Sequence, residues 1–139
     1  DIAPTIAGAA GIRPHPAWQG VDVLERAYTS VDRPIFSVLQ LTRWQEAVCL
    51  NGWKYIYDLT DVQPYLFDLN TDPGERQNLA EAMPELATAL RDILSAWNEH
   101  QIAYYAPANR PHTTYIAPFA PSPTQFERVR AALQPGPPI

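Results

Sequence analysis

Asn51-Gly52 lies between two apolar runs, Ala47-Val48-Cys49-Leu50 and Trp53-Lys54-Tyr55-Ile56-Tyr57, and no other feature constrains this chain as tightly. A two-residue type I′ turn needs positive φ at both central positions, which Asn followed by Gly tolerates best. The pair therefore specifies a β-hairpin and the register of its two strands. Segments rich in β-branched and large apolar residues flank it: Pro34–Leu41 and Glu46–Leu50 before the turn, and Tyr65–Leu69 after a polar loop that ends in Pro64. Together they predict a four-stranded antiparallel sheet.

The sheet is followed by Asn70-Thr71-Asp72-Pro73-Gly74-Glu75. Pro73 pre-sets φ at the first central position of a turn, Gly74 is expected to take positive φ at the second, and the Asp72 carboxylate is placed to cap backbone N–H groups. A helix is expected from Pro84, a good first-turn residue, to about Gln101. Met83, Leu86, Leu90, Ile93, Leu94 and Trp97 form its apolar stripe. At the N-terminus Asp1 is expected to cap a short helix over Ile2–Ala10 that stops at Gly11. Residues 13–32 read as irregular, with a short turn near Asp22–Ala27. The segment from Tyr104 onward is Pro-rich, holding eight of the chain's 15 prolines in residues 107–139, and is expected to run extended over the surface. It ends in a second capped helix: Ser122-Pro123-Thr124-Gln125 has the form of a capping box, and Phe126, Val129 and Leu133 follow at helical spacing.

The whole is an α+β chain: a four-stranded antiparallel sheet packed against one long helix, with a short N-terminal helical lead-in and a Pro-rich tail. At 139 residues it is long enough for one domain. A net charge of −5 argues against a nucleic-acid partner or a polybasic membrane contact, and no apolar run approaches the ~18 residues of a spanning helix. One cysteine, Cys49, excludes an internal disulfide framework and a cysteine metal cluster. The chain opens at Asp1 with neither an initiator Met nor a signal-like segment, so we expect it to be an excerpt.

Four blocks, in order, carry a family resemblance. Leu66-Phe67-Asp68-Leu69-Asn70-Thr71-Asp72-Pro73-Gly74-Glu75-Arg76-Gln77-Asn78-Leu79 resembles the LYDL-x-x-DP-x-E-x-x-NL stretch near the C-terminus of sulfatases, arylsulfatase-like members of the alkaline phosphatase superfamily. Asn51-Gly52-Trp53-Lys54-Tyr55-Ile56 is similar to the strand that precedes it there, and Arg33-Pro34-Ile35-Phe36-Ser37 to the first strand of the family's small sheet. Asp1-Ile2-Ala3-Pro4-Thr5, Ala10-Gly11-Ile12 and Gln19-Gly20-Val21 resemble the family's lead-in. Phe67 stands where Tyr is commoner, Gly8 where Asp or Glu is frequent, and Asp22 where Ser is usual. The tail from about residue 103 matches no block of the family.

The resemblance implies three segments: residues 1–32, a lead-in belonging structurally to a large α/β domain that this chain does not contain; residues 33–102, the C-terminal sulfatase-type subdomain; and residues 103–139, the tail with its short helix near 123–133. It implies a parent enzyme that hydrolyses sulfate esters with a formylglycine hydrate and a calcium ion. The Cys-x-Pro-x-Arg or Ser-x-Pro-x-Arg signature that supplies the formylglycine is absent here, since Cys49 is followed by Leu50-Asn51-Gly52. The family's calcium ligands and catalytic Lys and His residues belong to the large domain. No catalytic residue, metal ligand or cofactor is therefore expected in this chain, which alone should be inactive. Its expected partners are the missing catalytic domain and, through it, a sulfate-ester substrate, with a homo-oligomer as a further possibility. Family resemblance favours a periplasmic or secreted location. Two alternatives stay open: a stand-alone binding or oligomerisation module, and the same subdomain of a phosphate or phosphonate monoester hydrolase.

Three side chains are candidates for the rim of a substrate cleft. Arg43 has the forked donors that match sulfate oxygens, and Trp44 beside it can stack on a ring. Lys54, the single lysine, could contact sulfate, although a structural ion pair on the sheet is the reading its strand position favours. Asp58, Asp61, Asp68 and Asp72 are read as structural, because a strand separates the pairs and calcium needs six to eight converging oxygens. His15, His100 and His112 lack zinc-ligand spacing and are expected to face solvent. Ser30, Ser37, Ser95 and Ser122 lack a nucleophile frame. Tyr104, Tyr105 and Tyr115 are expected to cover the sheet.

Overall fold

A computed structural model of the chain describes residues 1–16, 18, 20–25, 33–105 and 119–134. His112, Tyr115, Ser30 and six of the tail prolines lie outside the described residues. Seven elements follow in order: α1 (Ile2–Ala9), β1 (Ile35–Gln40), β2 (Trp44–Leu50), β3 (Trp53–Asp58), β4 (Gln63–Asp68), α2 (Pro84–Tyr105) and α3 (Pro123–Leu133). The strands form one antiparallel meander in sequence order. The chain divides into two compact units, residues 31–98 with 121–139 and residues 1–30 with 99–120.

The hairpin turn forms as the sequence dictates. Asn51 and Gly52 have φ of 53° and 79°, and Leu50 pairs directly with Trp53. That register carries across the sheet and places Val48, Tyr55 and Leu66 side by side on one face, each 2 % exposed or less. Phe36 pairs with Val48, and its ring stacks on Trp97 of α2 at 4.7 Å and 3°. The Asn98 side-chain amide donates to Glu46 of the same face at 2.5 Å. Leu86, Leu90, Ile93 and Leu94 of α2 are buried to 3 % exposure or less, so the expected apolar stripe is the core face. Met83 and Trp97 are half-buried at its ends.

Strand bounds shift where backbone pairing reaches past the apolar runs. β2 begins at Trp44, which pairs with Gln40, so Trp44 is the first residue of a strand and not part of the turn. β4 begins at Gln63 and includes Pro64. An edge strand accepts proline because the absent N–H points away from the ladder. The turn after β4 also departs from expectation: positive φ falls at Glu75 (53°) and not at Gly74. Glu75 N–H donates to Asp72 O at 3.1 Å to close the turn. The Asp72 carboxylate caps the next two amides, accepting from Arg76 N at 2.7 Å and Gln77 N at 2.9 Å.

α3 belongs with the sheet unit. Its capping box is complete, with Ser122 Oγ accepting from Gln125 N and Gln125 Oε1 accepting from Ser122 N. Val129 is buried, and Arg128 pairs with Asp92 of α2 at 2.5 Å.

In the other unit α1 ends in a Schellman motif. Gly11 has φ 67°, Gly11 N–H donates to Gly8 O at 3.0 Å, and Ile12 N–H donates to Ala7 O at 2.8 Å. Asp1 does not cap the helix with its side chain. Its carboxylate accepts instead from Val21 N at 3.0 Å, and Thr5 Oγ1 accepts from Val23 N at 3.1 Å, so these two residues hold the 20–25 segment along α1. A Cβ on Gly8 would overlap the end of the Asp22 carboxylate, so a side chain at position 8 would displace that carboxylate from its present place. Ile2 and Ile6 of α1 remain 79 % and 64 % exposed. α2 continues to Tyr105, four residues past the expected end, and Tyr105 is exposed on it. His100 is half-buried, edge-on to Phe119 at 5.6 Å, rather than facing solvent.

Candidate functional site

The three blocks from Arg33 to Leu79 that carry the family resemblance, and the three rim candidates, lie on the sheet or its loops. At the open end, where β1 turns into β2 and β3 into β4, a buried carboxylate organises both loops. Asp58 is fully buried. It accepts from Gln45 Nε2 at 2.7 Å, from Thr60 N at 2.9 Å and from Asp61 N at 3.2 Å. Arg43 pairs with Asp58 at 2.9 Å and also with Asp61. Trp44 N–H donates to Thr60 Oγ1 at 2.9 Å, and Leu59 N–H to Trp44 O at 2.8 Å. The Gln45 amide first, then the Thr60 N–H and the Arg43 guanidinium, outweigh desolvation and hold the Asp58 carboxyl below its ordinary range.

At the hairpin end, Asp68 accepts from Asn70 N at 3.0 Å and from Thr71 Oγ1 at 2.9 Å. Desolvation raises its pKa, but these bonds together lower it. Lys54 Nζ donates to both Glu75 oxygens at 2.8 and 2.9 Å. The left-handed backbone at Glu75 is what turns its carboxylate back onto β3. Asn78 behaves as a fifth-strand substitute at the free edge of β4: its Oδ1 accepts from Leu66 N at 2.9 Å and from Ala80 N at 3.0 Å, and its Nδ2 donates to Pro64 O at 3.1 Å. Leu79 N–H then donates to Leu66 O at 2.8 Å. Thus Asp68, Asp72, Glu75, Asn78 and Leu79 of the long block each perform a backbone-closing or ion-pairing task.

Arg43 and Trp44 are adjacent and about half exposed. Lys54 is not with them: it pairs with Cys49, five residues along β2 from Trp44, or about 17 Å at strand rise. The sequence pattern did not disclose Gln45, Thr60 or the Arg128–Asp92 pair, whose partners are set only by sheet register or by contact across 36 residues. Asn78 was visible as part of a motif but not as the cap of an edge strand.

Among the described residues neither a nucleophile nor a metal site emerges. Burial pushes the Cys49 thiol above its ordinary value, against the pull of Lys54, which disfavours the reactive thiolate. Among the described residues no group of three or more His, Cys, Asp or Glu side chains is placed to hold a metal. Asp58, Asp68 and Asp72 are taken up by the donors named above, so these carboxylates do not fit a calcium cradle. No helix among the described residues is long and apolar enough to cross a membrane.

No family model matches the chain, and no curated protein matches it. Solved structures do. A 2-O GAG sulfatase superposes with a TM-score of 0.55 at 22 % identity, covering 74 % of this chain and 24 % of that one. A candidate sulfatase from Bacteroides thetaiotaomicron gives 0.61 at 20 % identity, covering 91 % and 28 %. A third structure, solved with a neocarrahexaose, gives 0.58 at 16 % identity, covering 96 % and 28 %. The chain therefore has the fold of a portion of sulfatase structures and spans about a quarter of the length of those it matches.

Proposed function

We propose that this chain is the C-terminal subdomain of a sulfatase-type hydrolase, that it contributes scaffold and one wall of the substrate cleft, and that it performs no chemistry alone. The observation that carries the reading is the lopsided coverage: sulfatase structures account for 74–91 % of this chain, yet the chain accounts for only 24–28 % of theirs. The exposed isoleucines of α1 support it, since an apolar helix face of this kind calls for a covering surface. So does the structural use of nearly every charged residue in the matched block. In this reading the formylglycine, the calcium ion and the sulfate-ester chemistry belong to the larger domain, and the parent is exported to the periplasm or secreted. Arg43 and Trp44, half exposed at the open end of the sheet, are the side chains we assign to the cleft wall. Lys54, held by Glu75, is assigned a structural role.

The experiment is an assay of the purified 139-residue chain against 4-nitrophenyl sulfate and 4-nitrophenyl phosphate with calcium present. No turnover of either ester is expected. Hydrolysis by this chain alone, abolished by substitution of one of its own residues, would overturn the scaffold reading.

A further inference from the structure

The hairpin turn between β2 and β3 also holds a reactive pair of groups. Asn51 and Gly52 both have positive φ, 53° and 79°, which makes the turn type I′, since a type II′ turn has positive φ at its first central position alone. Leu50 pairs with Trp53 across the turn, and the Gly52 carbonyl accepts from Leu69 N at 2.8 Å. The ladder bonds thus belong to Leu50 and Trp53, and the Leu69 bond to the peptide that follows Gly52. Neither holds the peptide between Asn51 and Gly52.

Gly52 N can attack Asn51 Cγ. The new N–C bond closes a five-membered succinimide ring, the Cγ–Nδ2 bond breaks, and Nδ2 leaves as ammonia with the proton from Gly52 N. Water then adds to one of the two ring carbonyls. Breaking the Gly52 N–Cγ bond gives aspartate, and breaking the bond from Gly52 N to the Asn51 main-chain carbonyl carbon gives isoaspartate. Water is the only other reactant. A Cβ on the following residue would crowd the attacking nitrogen, and glycine has none, whereas Asn70, Asn78 and Asn98 precede Thr71, Leu79 and Glu99. A hydrogen bond to the Asn51 amide does not bar the step, because the atom attacked is its carbon.

Ring closure brings Gly52 N into line with the Asn51 side chain, which needs φ near +60° and ψ of about −120° at Asn51, the values of the first central residue of a type II′ turn. A type I′ turn has the same φ with ψ of about +30°. The φ of Asn51 is therefore already in place, and what must change is the orientation of one peptide. Type II′ is itself a hairpin turn, so Leu50 and Trp53 can stay paired through the change. We propose that Asn51 is a deamidation site of the folded chain, reached by flipping the Asn51–Gly52 peptide from type I′ to type II′ while β2 and β3 remain paired. The isoaspartyl product carries an extra methylene in the backbone of a two-residue turn, so the geometry that sets Leu50 opposite Trp53 is lost. The aspartyl product keeps it, because Asp also accepts positive φ. The site acts as an ageing switch on the register of the sheet, and nothing in it depends on the sulfatase reading.

The 139-residue chain, incubated folded in mildly alkaline buffer, tests this. Peptide mass spectrometry and labelling by an isoaspartate methyltransferase should find isoaspartate at position 51, with Asn70, Asn78 and Asn98 intact. Its rate of formation should not change with urea below the unfolding transition, because the peptide flip exposes no buried surface. Asn51→Gly keeps both turn positions open to positive φ and should abolish the product with the thermal melt retained. The purified isoaspartyl form should melt below the aspartyl form. A folded chain that yields no isoaspartate at Asn51, a rate that climbs from the first addition of urea, or equal melts of the two products would each overturn the proposal.

Discussion

Replacing Asn78 with alanine removes one small exposed side chain, yet the structure assigns it a large effect. Its amide satisfies three backbone groups: Leu66 N–H, Ala80 N–H and Pro64 C=O. Leu66 is fully buried and Ala80 is 8 % exposed, so water reaches their amides poorly, while the Pro64 carbonyl can be rehydrated. A buried donor left without an acceptor costs about 1–3 kcal/mol. One full penalty at Leu66 and part of another at Ala80 sum to about 2–4 kcal/mol. For a unit of this size each kcal/mol lowers the melting temperature by about 4–8 °C, so Asn78→Ala should melt at least ~8 °C below the parent chain. Thermal unfolding followed by circular dichroism measures the shift. Amide exchange locates it, with Leu66 N–H losing more protection than Phe67 N–H, which faces β3. A melt within about 2 °C of the parent would refute the claim that this asparagine closes the sheet edge.

Three further outcomes follow from the same geometry. Because the folded-state pKa of Asp58 lies below its ordinary value of 3.8, its contribution to stability is complete above that value and is lost as pH falls through it toward the folded pKa. Asp58→Asn should therefore flatten the acid limb of a urea-midpoint profile, and an unchanged slope below pH 4 would contradict the assignment. Glu75→Gly relieves the positive φ while losing the Lys54 pair, whereas Glu75→Ala loses the pair and keeps the strain. The glycine variant should be more stable by about 1 kcal/mol in urea titration, and equal stability would refute the strain argument. Gly8→Ala improves helix propensity but displaces the Asp22 carboxylate, which accepts from Leu24 N at 2.9 Å. A double-mutant cycle with Asp22→Ser should show coupling of about 1 kcal/mol, and additivity within ~0.3 kcal/mol would contradict the pairing of positions 8 and 22.

Local chemistry made much of this fold legible. Asn51-Gly52 set the register of β2 against β3, because a two-residue turn leaves no freedom in pairing. Ser122 and Gln125 announced their helix through side chains that satisfy its first amides, and the stripe from Leu86 to Leu94 announced the core. What escaped depended on partners distant in sequence. Gly74 looked like the residue for positive φ, but the left-handed position is Glu75, whose carboxylate pairs with Lys54. Asp1 looked like a cap, but Val21 N–H claimed its carboxylate. Asp58 appeared as one of four scattered acids, and only the register that brings Gln45 opposite it shows why it can be buried. The rim candidates divided for the same reason. Arg43 and Trp44 share a loop end, whereas Lys54 sits down the strand with a partner of its own.

The central claim is that this subdomain belongs beside a larger catalytic domain, and the most direct test is to read the coding sequence upstream of the Asp1 codon in frame. The account predicts a long open frame containing Cys-x-Pro-x-Arg or Ser-x-Pro-x-Arg preceded by an early pair of aspartates. A start codon or a frame break immediately before Asp1 would contradict it and make the chain a non-catalytic module.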